Sequence, residues 1–204
     1  LILHQNFGSH LLRQLWIIKG NGRARSQTWP SFSQKGCPDI HINGARIEWV
    51  RFRGPVCPIF FIVVYVPHKY RTTPQASDTL AELNALIRTV PKKDCLVVCG
   101  DFNCQLKRNV QGCTGQWAMT KKHEDKGHDQ DVLDIMRTQE LFAVETKFMS
   151  KAKMWAGRKR RCNATYMPKH VGRRPTKLDY FLVSDRWKGM VTAAKTKWSA
   201  AYHR

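Results

Sequence analysis

From Ile59 to Val66 the chain places eight apolar residues in a row, rich in β-branched and aromatic side chains. A run of that length and composition predicts a strand covered on both faces. A preceding strand is predicted at Ile47 to Phe52, with a turn around Gly54-Pro55. After Pro67 a polar loop leads to Thr73-Pro74, which reads as a helix cap followed by a first-turn proline. Leu80, Leu83, Ile87 and Val90 then recur at helical spacing, forming one buried stripe on a helix that Pro91 ends. Cys95 to Cys99 predicts a short buried strand running straight into Gly100-Asp101-Phe102-Asn103. Strand, helix, strand in that order implies an α/β architecture.

Downstream, Leu106 to Gly127 is a glycine-dotted basic loop. Val132, Ile135, Met136 and Gln139 outline a second helix, with Asp129 and Asp131 at its positive end. Strands are expected at Leu141 to Thr146, Asn163 to Tyr166 and Leu178 to Val183, with another near Thr196 to Trp198. Residues 1–46 hold one expected strand within Leu11 to Ile18 and otherwise irregular edges, broken by Gly20, Gly22, Pro30, Gly36 and Pro38. With 204 residues and no internal repeat, one domain is expected.

Charge narrows the partners. Thirty-five Lys and Arg against 15 Asp and Glu give a formal charge of +20, a field that favours polyanions. Lys147 to Lys188 alone carries 13 Lys or Arg and only two acids, Asp179 and Asp185. Arg158, Lys159, Arg160, Arg161, Arg173, Arg174 and Lys177 are the candidate phosphate contacts. They are interleaved with Trp155, Tyr166, Tyr180 and Trp187, aromatics of the kind that stack on bases. The longest apolar run is far shorter than the ~20 residues a membrane span needs. Seven cysteines without a C-x-x-C pair fit reduced thiols inside a cell better than a disulfide framework, and the spacing of Cys95, Cys99 and Cys104 does not match structural zinc. The start of the chain lacks a signal peptide's order, so an intracellular protein, nuclear or cytoplasmic and not secreted, is expected, and the sequon Asn163-Ala164-Thr165 reads as incidental.

Three places can carry chemistry. Asp101 and Asn103 follow an apolar strand two positions apart, so a carboxylate and an amide can address one ligand; the same residues also suit an ordinary turn. Asp179 sits inside the apolar run Leu178 to Val183, where a carboxylate must point outward or be paired. It can orient a histidine, or it can pair with Arg173, Arg174 or Lys177. Tyr65 ends the long strand before Pro67 and can offer its hydroxyl to a phosphate oxygen, or serve as a core aromatic with its hydroxyl at the rim. His68, beside it, reads as a solvated loop residue.

Together, Tyr65-Val66-Pro67, Gly100-Asp101-Phe102-Asn103, Asn163-Ala164-Thr165-Tyr166 and Leu178-Asp179-Tyr180-Phe181-Leu182-Val183-Ser184 resemble the endonuclease/exonuclease/phosphatase superfamily. The likeness is strongest over residues 47–204 and is nearest to the apurinic-type endonuclease domain of non-LTR retrotransposons, craniofacial-development-protein-2-like sequences included. The resemblance implies a four-layer α/β sandwich, two stacked mixed β-sheets flanked by helices, and magnesium- or manganese-dependent hydrolysis of DNA phosphodiesters. It implies Asp101 as the acid/base residue, Asn103 as the amide on the scissile phosphate, Tyr65 as a phosphate contact and Asp179 as the carboxylate orienting a terminal histidine. Asp101 and Asn103 are also its metal-side residues. The family's early metal-binding Glu and its terminal Ser-Asp-His have no match here, as expected of a partial domain truncated at both ends; Glu48 lies too near Tyr65, and His203 follows no Asp. A reverse-transcriptase region in the same full-length chain is expected. The alternatives are a phosphatase or RNase of the same superfamily, and a nucleic-acid-binding module without catalysis.

Overall fold

A computed structural model describes residues 2–5, 15–18, 39–43, 46–53, 56–68, 73–118, 128–148, 152–155, 158–161, 164–166 and 175–194. Its strands are β1 (Ile2–Gln5), β2 (Leu15–Ile18), β3 (Asp39–Asn43), β4 (Ile47–Arg53), β5 (Pro58–Tyr65), β6 (Cys95–Asp101), β7 (Leu141–Ala143), β8 (Ala152–Trp155), β9 (Arg158–Arg161) and β10 (Asp179–Ser184). The helices are α1 (Thr73–Thr89) and α2 (Asp129–Thr138), with 3-10 turns at Val144–Lys147 and Asp185–Met190. Six strands form one mixed sheet in the order β3-β4-β5-β6-β10-β7, while β1-β2 and β8-β9 are separate two-stranded ribbons. The chain is α/β, as predicted.

The unbroken apolar runs form the sheet's centre because both of its faces are dry. Phe60, Ile62 and Val64 of β5, Leu96 and Val98 of β6, and Tyr180 and Leu182 of β10 point to one face, where Leu80, Leu83 and Ile87 of α1 and Val132, Leu133 and Met136 of α2 cover them. The alternating set, Phe61 and Val63, Cys95, Val97 and Cys99, Phe181 and Val183, forms a second core on the other face with Val144, Val191 and Ala194. Burying a side chain of this size contributes ~1.5–3 kcal/mol, so the three central strands are the most heavily stabilised part of the sheet. Strands β5 and β6 are parallel. A parallel pair needs a crossover, and α1 supplies it, which brings both strands to their C-terminal ends on the same side.

The local predictions differ from the structure in several places, among them the unexpected strands β1, β8 and β9. The segment before Ile47, expected to be irregular, contains β3, the short alternating run Asp39-Ile40-His41-Ile42-Asn43, paired to β4 from Asp39↔Arg51 to Asn43↔Ile47. The strand expected over Leu141 to Thr146 stops at Ala143 and tightens into a 3-10 turn. Of the strand expected over Asn163 to Tyr166, the described residues, 164–166, show a single bridge, Tyr166 to Thr176. Thr196 to Trp198 lies outside the described residues.

Candidate active site

The site forms where three central strands end together. Tyr65 of β5 lies in register with Asp101 of β6, and Asp101 lies in register with Asp179 of β10. Neighbouring strands are about 4.8 Å apart, so one row about 10 Å wide holds a tyrosine and two carboxylates on the same face of the sheet. Residues far apart in sequence become neighbours because alternation and register are both fixed by the buried positions beneath them. Gly100 is required here. A Cβ at this position would come within 1.8 Å of the Val64 carbonyl oxygen, so any other residue would push β6 off β5 just before Asp101.

Asn103 completes the group through a tight local turn. Its backbone N–H donates to Asp101 Oδ1 at 2.9 Å, and its side-chain Nδ2 donates to the Val66 carbonyl at 2.8 Å. The turn places Asn103 at a φ of 47°, a left-handed conformation that asparagine tolerates better than most residues. The exits of both strands are further pinned: Val66 N–H donates to the Asp101 carbonyl at 2.8 Å, and Phe102 N–H to the Leu178 carbonyl at 2.9 Å. Tyr65 stays 43% exposed, so its ring stands at the rim and not in the core.

The electrostatics single out Asp101. Burial, aided by the negative charge of Asp179, pushes its carboxyl up to about 7, against the opposing hydrogen bond from Asn103 N–H. Burial also raises Asp179, while the Thr165 hydroxyl and the Lys177 charge pull it back down. A carboxyl poised near neutrality can both accept and release a proton at physiological pH, which is the property a general acid/base needs.

Thr165, which had no sequence-derived role of its own, and Tyr180, expected to stack on bases, complete the support. Thr165 Oγ1 accepts hydrogen bonds from the Leu178 and Asp179 N–H groups at 3.0 and 3.1 Å, so it fixes the start of β10 and the Asp179 carboxylate together. Tyr180, grouped with the base-stacking candidates by sequence, is fully buried; its hydroxyl accepts from Leu106 N–H at 3.1 Å and lies 3.2 Å from the Lys177 carbonyl. The motif segment Asn163 to Tyr166 signalled Thr165 only as part of a resemblance, because its bond to Asp179 is a tertiary contact.

Of the basic candidates, the structure settles the surroundings of Lys177. Lys177 is corrected outright: it is 4% exposed, and its Nζ lies 3.3 Å from Glu145 Oε1, so its ammonium neutralises a buried carboxylate and is not offered to phosphate. Arg158, Lys159, Arg160 and Arg161 make up β9, paired with β8. Arg173 and Arg174 lie outside the described residues, as do residues 195–204 with His203. Trp187 is only half-buried and lies under the Arg186 guanidinium.

The donor set suits a hard divalent cation. Among the described residues no group of three or more His, Cys, Asp and Glu is arranged to hold a metal by itself. Magnesium asks for less, commonly one or two carboxylates together with water and substrate phosphate. Asp101 and Asp179 are like-charged neighbours whose repulsion a cation would relieve, and Asn103 has an amide oxygen beside them. Glu48 lies on the same face, in register with Val63, and its Oε2 is buried without a hydrogen-bond partner among the described residues.

No family model matches the chain. The chain is 25% identical over 163 residues to craniofacial development protein 2 of Bos taurus, and 24% identical over 163 residues to that of Tragulus javanicus, each match taking in 79% of this chain. It spans about a quarter of the length of these curated relatives, 25% and 26%. Among solved structures, the 3′ phosphatase NExo from Neisseria, bound to a product DNA hairpin, superposes with a TM-score of 0.51 at 15% identity, over 76% of this chain and 62% of that one. The fold shared with this phosphatase and the similarity to craniofacial development protein 2 support the resemblance to the endonuclease/exonuclease/phosphatase superfamily. Among the described residues, no helix is long and apolar enough to cross a membrane.

Proposed function

We propose that this chain is the endonuclease domain of a non-LTR retrotransposon polyprotein, hydrolysing DNA phosphodiester bonds with magnesium or manganese. The observation that carries this reading is the single register row Tyr65, Asp101, Asp179, with Asn103 turned back onto Asp101. The +20 charge supports a polyanionic substrate, and the DNA hairpin bound by the similar Neisseria phosphatase supports nucleic acid within that class. The apolar core on the second face of the sheet, beneath the row of Tyr65, Asp101 and Asp179, supports the complete four-layer form, in which a second sheet would stack on it.

In this reading Tyr65 and Asn103 address phosphate oxygens through a hydroxyl and an amide. Asp101 takes a proton from the attacking water or returns one to the leaving oxygen, a role suited to a carboxyl titrating near 7. Asp179 keeps Asp101 in that range and would orient a histidine supplied from outside the described residues. Asp101 and Asn103 would hold the cation, which would contribute charge stabilisation at the phosphate.

The test is nicking of supercoiled plasmid in magnesium by wild type and Asp101→Ala. A loss of about a hundredfold or more in the variant is expected. Equal nicking by both overturns the assignment. Release of phosphate from a 3′-phosphorylated oligonucleotide without nicking would place the chain with the phosphatases of the superfamily instead.

A further inference from the structure

Resting on the reading above, we infer that His128 and Asp129, at the start of α2, are positioning residues that lock the two active-site loops together. One loop leaves β5 immediately after Tyr65, and the loop leaving β6 carries Asn103. Consecutive carbonyls of the first loop are held from two directions: Val66 O by Asn103 Nδ2 at 2.8 Å, and Pro67 O by His128 Nε2 at 3.0 Å. A carbonyl oxygen only accepts, so Nε2 carries the proton in this contact. The next residue, Asp129, accepts at Oδ1 from Gln105 N–H at 2.8 Å, two residues beyond Asn103. Two adjacent side chains therefore reach one loop each.

The brace is rigid because its base is buried. His128 is 3% exposed, and α2 is anchored beneath it by Val132, Leu133 and Met136. Asn103 needs such support. A non-glycine residue at positive φ costs ~1–3 kcal/mol and persists only where its surroundings over-determine it. Its amide is aimed by the Val66 carbonyl, and that carbonyl stays in place because His128 holds the next one. Neither residue touches the Tyr65, Asp101, Asp179 row in any of these contacts, so both act through backbone they position.

The brace is tested by amide hydrogen exchange on this chain, which needs no catalytic activity. In His128→Leu the Asn103 and Gln105 amides should exchange at least about tenfold faster, while the buried Val98 amide keeps its wild-type rate. His128→Gln, which restores an N–H donor, should return both to wild-type protection. Unchanged exchange at Asn103 and Gln105 in His128→Leu overturns the inference. Should that variant fail to fold, the wild-type imidazole decides: a slowly exchanging Nε2–H resonance is expected for His128, and a rapidly exchanging one overturns the brace. In plasmid nicking, His128→Leu should lower kcat by about a hundredfold with KM nearly unchanged, and His128→Gln should recover it. Wild-type chain that does not nick DNA, yet shows the exchange pattern, would defeat the nuclease reading and leave the brace standing.

Discussion

Two buried charge arrangements flank the start of β10, and they are built in opposite ways. On one side Glu145 is matched: Lys177 Nζ lies 3.3 Å away, and Phe181 N–H donates to both carboxylate oxygens at 3.2 and 3.3 Å. On the other side Asp101 and Asp179 are like charges in register, with Asn103 N–H, the Thr165 hydroxyl and the Lys177 charge to offset burial among the described residues. The first arrangement satisfies itself and so serves the fold. The second leaves negative charge to be met by something from outside, which is how a binding or catalytic site differs from a structural ion pair.

Breaking the matched pair should have the largest effect on stability. Lys177→Met leaves Glu145 buried and uncompensated, so unfolding free energy should fall by about 3–5 kcal/mol in denaturant titrations. Burial already raises Glu145 against the pull of Lys177, and without that lysine it should rise further. The deficit should therefore shrink as pH falls and Glu145 takes up a proton. A neutral effect would mean that the pair contributes nothing and that the contrast with the acidic row is empty.

Relieving the unmatched pair should do the reverse. Asp101 titrates near 7 when folded and near its ordinary value of 3.8 when unfolded, so the native state binds more protons between those values and stability falls as pH rises through them. Asp101→Asn removes that penalty. It should stabilise the chain by about 2–4 kcal/mol above pH 7 and by little below pH 4, measured as Tm across pH. The same substitution should abolish nicking, a trade of function against stability typical of active sites. If Asp101→Asn brings no gain at high pH, the row is better compensated than its geometry implies.

The smallest expected effect sharpens the comparison within the acidic row. Thr165→Val removes the acceptor of the Leu178 and Asp179 N–H groups, costing about 1–2 kcal/mol. Because the hydroxyl also holds Asp179 down, its carboxyl should titrate higher in the variant, read by carbon NMR of the side chain. An unchanged Asp179 would assign Thr165 to backbone support alone.

Much of the scaffold was legible before any coordinates. The stripe Leu80, Leu83, Ile87 predicted α1 and its buried face, and Pro91 its end. The apolar runs predicted β5, β6 and β10, and for β5 its coverage on both faces. The weak points were those where a neighbour decides. β3 does alternate, Asp39-Ile40-His41-Ile42-Asn43, but it is short and set among glycines and prolines, and its ladder to β4 is what marks it as a strand. Leu141 to Thr146 is apolar enough for a strand, but Thr146 Oγ1 donates to the Ala143 carbonyl and accepts from Gly115 N–H, bending the chain into a turn. Lys177 looked like one more cation in a basic stretch, since nothing local marks it as the partner of a carboxylate on another element.

The order of the chain's side chains was enough to set which segments are dry on two faces, where one helix must cross between them, and which acids and amides stand at strand ends. These follow from local period and side-chain type, which act over a few residues. The row of Tyr65, Asp101 and Asp179, the burial of Lys177 and the reach of His128 to a carbonyl 61 residues away were decided by register and packing. Such contacts depend on how whole elements settle against one another, and no short-range pattern encodes that.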